Sequence, residues 1–175
     1  MFKVLVEGCE PTKGSRFSAA VDLYASEDVV IGAGETAMVG LGVCIDEEKL
    51  YSMIFAHYPD LDYEYTNEAI EQFMHSHYLQ LEHRSSLRVS GLVAGTGIID
   101  LDYKNEIKII IHNPVKAPKY SADVFGTAYD MTDYKPLKLS KGQKIAQILL
   151  KEHKTYLMGI ETSTTRNGGF GSTGK

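Results

Sequence analysis

Apolar residues recur along this chain mostly at a spacing of two, the period of a strand with one buried face. Phe2, Val4 and Val6 open the pattern. A second run, 19–25, is apolar except for Asp22. VVIGAGETAMVGLGVCID then predicts two strands joined by a turn at Gly32-Ala33-Gly34-Glu35. YLQLEH predicts a strand leading into Arg84, and EIKIIIH one with Ile107, Ile109 and Ile111 on a single side. LKLSKGQKIAQILL predicts a last pair around a turn at Lys141-Gly142-Gln143. One segment has helical spacing. Thr66 can cap it, Glu68 suits its positive end, and Ile70, Phe73, Met74 and His77 fall at i, i+3, i+4 and i+7. The stretches 9–18 and 114–136 carry turn formers and no clear period, and read as loops. Many short strands, one short helix and closely spaced turns predict an all-β sandwich or barrel.

Composition narrows the class. At 175 residues the chain is expected to form one domain with a proper core, and its 43% hydrophobic and 23% charged content is that of an ordinary globular protein. There is no apolar run of membrane-spanning length and no signal-like N-terminus, so no membrane partner and a cytoplasmic location are expected. A formal charge of -5 without a dense basic tract excludes general nucleic-acid binding. Cys9 and Cys44 form no CxxC pair and read as reduced thiols.

Candidate chemistry concentrates in residues 84–106, RSSLRVSGLVAGTGIIDLDYKNE. Arg84, Ser85 and Ser86 offer a forked cation and small donors that suit phosphate oxygens. Gly91, Gly95 and Gly97 let backbone approach a flat ligand. Asp100 closes an apolar run, where a carboxylate is costly unless paired or used. Together these suggest a phosphorylated, flat, polar ligand with an acid to activate water. The plain alternative is a β-hairpin with Asp100 and Asp102 in its turn and Arg84 as a surface charge. Asp22 reads as a satisfied structural aspartate, and Gln147 as a residue that either satisfies buried backbone or faces a ligand. His57, His75, His77 and His83 do not read as a metal cluster, because His75 and His77 point to different sides of a helix. Gly32 and Gly34 lack the rest of a dinucleotide fingerprint, and Gly169–Lys175 spells the start of a P-loop with nothing after it. The glycine-rich tail could instead cradle an anion, with Phe170 as a stacking ring.

Five segments in order resemble the five motifs of trimeric dUTPases: AAVDL at 19–23, RSSL at 84–87, GIIDLDYKNE at 97–106, GQKIAQ at 142–147 and RNGGFGSTG at 166–174. Ala20 and Asn105 stand where the family has glycine. The resemblance implies a jelly-roll-like β domain over 1–165, with insertions at about 46–77 and 114–136, and a C-terminal lid at 166–175. It implies a homotrimer whose active sites form between subunits, and hydrolysis of dUTP to dUMP and pyrophosphate with Mg²⁺. Asp100 matches the family's water-activating aspartate. Tyr103 would lie under the deoxyribose, and Gly97, Ile98 and Ile99 would read the uracil edge. Arg84, Ser85, Ser86 and Gln147 would hold phosphate oxygens, Lys108 would also contact substrate, and Asp22 would position water ligands of the metal. Another subunit's Phe170 would cover the uracil, with Arg166, Gly171, Ser172 and Thr173 on the phosphates.

Two rivals remain. dCTP deaminase resembles this family but carries a catalytic glutamate where this chain has Ile109, Ile110 and Ile111, which disfavours it. A dUTPase-like regulatory module, with nucleotide occupancy switching a protein contact through 46–77, is the other.

Overall fold

The computed structural model describes residues 1–57, 66–89, 91–115, 120–123, 126–129 and 136–160. Its elements in order are β1 (Phe2–Val4), β2 (Val21–Tyr24), β3 (Val29–Ile31), β4 (Thr36–Gly40), β5 (Val43–Ile45), α1 (Glu47–His57), α2 (Thr66–Ser76), β6 (His77–His83), α3 (Ser85–Val89), β7 (Val93–Ala94), β8 (Gly97–Asp100), β9 (Lys108–His112), β10 (Tyr120–Asp123), β11 (Gly126–Tyr129), β12 (Leu137–Leu139), β13 (Lys144–Glu152) and a 3₁₀ turn at Thr155–Met158. Strands dominate, in a jelly-roll-like arrangement, and every ladder between them is antiparallel. The largest sheet runs β2-β13-β6-β8; a second runs β4-β9-β7, with the pairs β1-β5 and β12-β3 beside them.

The period-two pattern explains which faces meet. Ile107, Ile109 and Ile111 are each at most 1% exposed, as their spacing predicts, while Ile110 between them is 47% exposed. From the large sheet Leu23, Leu79, Leu81, Ala146 and Ile148 join them in one core. Burying each such leucine or isoleucine contributes about 1.5–3 kcal/mol, so this shared face is what holds the sheets together.

Two segments differ from the sequence reading. Where one helix was expected, the described residues contain three α-helices. Asp46 starts α1: its carboxylate accepts from the Lys49 N–H at 3.2 Å, and Glu47 and Glu48 follow in the first turn. Leu50 and Ile54, at i and i+4, are buried in the main core. The capping and spacing signals were present, but interleaved tyrosines and acids masked them. In α2, Phe73 is buried and Ile70 and Met74 pack against the core, as expected. Its apolar stripe stops one residue early, because His77 begins β6, yet the His77 ring still stacks on Phe73 with centroids 3.9 Å apart. The stretch 114–136, read as a loop, contains the hairpin β10-β11.

Candidate active site

The register of the large sheet puts three rows of side chains on the face opposite the core, since paired residues of antiparallel strands project to one side. The first row is Asp22, Gln147 and Glu82. Leu149, Gln80 and Ile98 form the second, and Lys151, Tyr78 and Asp100 the third.

At the first row Asp22 is buried, at 7% exposure. Arg84 Nε lies 3.2 Å from its Oδ1, and Lys144 Nζ donates to its Oδ2 at 3.0 Å. That hydrogen bond is the main cause that raises the Lys144 ammonium above its ordinary pKa. Lys144 also stands 5.7 Å from the centre of the Tyr24 ring, whose hydroxyl bonds Thr12 Oγ1 at 2.5 Å. Arg84 directly follows β6 and its N–H donates to the Ile145 carbonyl, so backbone fixes where its side chain starts. Ser85 and Ser86 open α3 and are exposed. Beside them is a cleft of about 360 Å³ lined by Gln80, Glu82, His83, Ser85, Arg88, Gln147, Leu149 and Lys151. Arg84, Ser85, Gln147 and Asp22 therefore belong to one neighbourhood, as the sequence reading grouped them. Lys144 was missed: its only sequence signal was a cation three residues before Gln147, and its acid partner is 122 residues away.

Asp100 is elsewhere. It is exposed, at the end of β8 opposite Tyr78. Arg84 lies six residues further along β6, so at about 3.3 Å per residue the two sites are about 20 Å apart. The Asp100 carbonyl accepts from the Tyr103 N–H at 3.1 Å, which closes the turn after β8. Tyr103 is 7% exposed and packs in the core; burial, then the nearby Glu106 carboxylate, raises its phenol above the ordinary value. Of the backbone expected to read a base, Gly97 and Ile99 are half-buried and Ile98 is 74% exposed. Lys104, in the same turn, donates to Glu47 Oε2 of α1, and Tyr51 donates to Glu47 Oε1, both at 2.5 Å. Lys108 sits on the other sheet, opposite Gly40, with its ammonium 4.0 Å from Glu106. Glu106, also missed, accepts from the Gly42 N–H at 2.9 Å and fills the space beside Gly40. Arg166, Phe170, Gly171, Ser172 and Thr173 lie outside the described residues.

Among the described residues no three histidine, cysteine or acidic side chains cluster as a metal cage. The donor set still fits Mg²⁺ brought in by a polyphosphate. Such an ion keeps several waters and needs only one or two carboxylates beside the phosphates. Asp22 meets one cation at each oxygen, and a carboxylate has about four lone-pair positions, so it retains capacity for water.

No family model matches the chain. A deoxyuridine 5'-triphosphate nucleotidohydrolase of Candida glabrata is 29% identical over 174 residues, spanning 96% of this chain and 90% of that one. One of Paramecium bursaria Chlorella virus 1 is 27% identical over 180 residues, spanning 99% and 96%. Over nearly its whole length the chain is similar to dUTPases. Solved dUTPases share its fold. That of phage phi11 of S. aureus aligns with a TM-score of 0.58 at 20% identity over 98% of both chains. That of Staphylococcus bacteriophage 80alpha also gives 0.58, at 18% identity over 97% of both, and phage dUTPases are described there as controlling transfer of virulence genes by a G protein-like mechanism.

Proposed function

We propose that this chain hydrolyses dUTP to dUMP and pyrophosphate at sites completed between copies of itself. The observation that carries this reading is the division of the site. One end of β6 holds Arg84, Ser85, Gln147 and Asp22, which suit phosphates; the other holds an exposed acid, Asp100, about 20 Å away by strand geometry. One nucleotide cannot use both ends of one chain, but the two ends are complementary halves for a neighbour. A homotrimer, the family's assembly, would supply that neighbour.

In the joined site Asp100 orients a water and takes its proton as the water oxygen bonds the α-phosphorus. The bond from that phosphorus to the bridging oxygen breaks, and pyrophosphate leaves with the electron pair. Arg84, Ser85, Ser86 and Gln147 hold phosphate oxygens as charge spreads over them, the larger part of catalysis for phosphoryl transfer. Mg²⁺ bound to the triphosphate would neutralise its charge, with Asp22 holding the ion's water shell. Gly97 to Ile99 would read the uracil edge and the Tyr103 ring exclude a 2′-hydroxyl. The 166–175 segment would close from another copy as a lid, with Phe170 over the base and Arg166, Gly171, Ser172 and Thr173 on the phosphates. Among the described residues no helix is long and apolar enough to cross a membrane, in keeping with a cytoplasmic enzyme.

The test is complementation. Asp100→Asn and Arg84→Ala chains should each fail to release pyrophosphate from dUTP, and co-refolded mixtures should regain turnover. Mixtures as inactive as either parent would overturn the shared site, and a wild type that does not turn over dUTP would overturn the activity. A second role, a protein contact through α1 and α2, is supported by the phage neighbour and by the exposed Glu68, Glu71, Gln72 and His75 of α2. Charge reversal at Glu71 should leave turnover unchanged if that face serves a partner.

A further inference from the structure

We propose that Arg88 is a further phosphate-contacting residue, reaching the phosphates from the same cleft as Ser85 and Gln147. The inference rests on the dUTP reading above. Four observations carry it. Ser85 and Arg88 are three residues apart in α3, so their side chains share a face of that turn. Both line the cleft with Gln147, whose paired neighbour in β2 is Asp22. Arg88 is exposed, and among the described residues no salt bridge pairs it with a carboxylate. Arg84, by contrast, has its Nε against Asp22, so part of its charge is already answered.

The remaining lining explains why an anion would sit at the Arg88 end. Glu82 is the only acid of the cleft, and it is held in place: Tyr78 donates to Gln80 Oε1 at 3.4 Å and Gln80 donates to Glu82 Oε1 at 2.5 Å. These three side chains follow one another at a spacing of two on the same strand face, with Glu82 the single negative charge among them. Against that one acid stand two cations, Arg88 beside Ser85 and Lys151 at the far end, so the lining is net cationic. His83 lines the cleft only as the end of β6, since it pairs with Ala146 and its side chain shares the core-side row. In a chain with formal charge -5, such a local cation is what a polyanionic ligand requires.

The test uses the full chain, with inorganic pyrophosphate as probe in calorimetric titrations, beside the steady-state kinetics of dUTP. Arg88→Gln should weaken pyrophosphate about tenfold or more, the worth of one charge-assisted contact. It should raise KM for dUTP more than it lowers kcat, and leave inhibition by deoxyuridine unchanged. Arg88→Lys should restore part of the loss, and Glu82→Gln should tighten pyrophosphate a few-fold. Equal pyrophosphate affinity in wild type and Arg88→Gln, no measurable binding to wild type, or a change confined to oligomeric state would each overturn the proposal. Pyrophosphate binding is read directly, so an enzyme inactive on dUTP would sink the proposed activity without deciding this measurement.

Discussion

The two ends of β6 are built differently. At the Arg84 end the functional groups are tied to one another across three paired strands, with a buried carboxylate between two cations. At the Asp100 end the acid is exposed at a sheet edge, and its turn is braced by the half-exposed pair Lys104–Glu47. The first end is preorganised within the chain. The second places its acid at the exposed edge of the sheet, beside a turn rather than between strands.

Several measurements sharpen this contrast. Asp100→Asn should lower turnover by about 10²–10⁴-fold, the usual contribution of a general base, while the exposed position leaves Tm unchanged; a matching loss of stability would show that the acid is structural. Leu50→Ala should cost about 2–5 kcal/mol in denaturant unfolding, because α1 is part of the core that carries the Tyr103 turn. A negligible cost would make α1 an appendage. Asp22→Ala should cost about 2 kcal/mol, less than for a fully buried pair because Lys144 is 38% exposed, and should weaken phosphate binding as Arg84 loses its support. The same measure for Glu47→Gln should fall below about 1 kcal/mol, since both members of its ion pair are about half exposed.

That last pair also predicts opposite responses to pH. The hydrogen bond from Lys104, then that from Tyr51, holds the Glu47 carboxyl below its ordinary value. Its contribution is therefore complete above the usual carboxylate pKa and lost as pH falls through the lowered one. The Tyr51 phenol is pushed up to about 12, chiefly by its hydrogen bond to Glu47. Its contribution is complete below the ordinary phenol value and lost as pH rises through about 12. Phenolate absorbance of the folded chain should therefore show late titration from Tyr51 beside that of Tyr103, and Glu47→Gln should bring the Tyr51 part back toward the ordinary range. An unchanged titration would place Tyr51 outside this contact.

Much of the fold was legible because local patterns are short-range. Ile107, Ile109 and Ile111 declare their buried face by spacing alone, and Gly142, with φ +77, sits in the turn read at 141–143. The α1 helix was not read, although Asp46 and the Leu50–Ile54 spacing mark it, because tyrosines and acids dilute the stripe. The grouping of Arg84, Ser85 and Gln147 was legible from motif order. The role of Lys144 was not, because its acid partner comes from a strand at the other end of the chain.

By itself the sequence determined the β class, the alternation that separates core from surface, and the residue types able to hold phosphate and move a proton. Only the tertiary structure decided that Asp22 lies between Arg84 and Lys144, that Arg88 shares a cleft with Gln147, and that Asp100 stands a strand's length from all of them. Alternation is a property of neighbouring residues, whereas these placements depend on which strands pair and in what register. That choice is made by the whole core, because a slip of one residue in β6 would turn Tyr78, Gln80 and Glu82 inward and change which residues of β13 and β8 they face.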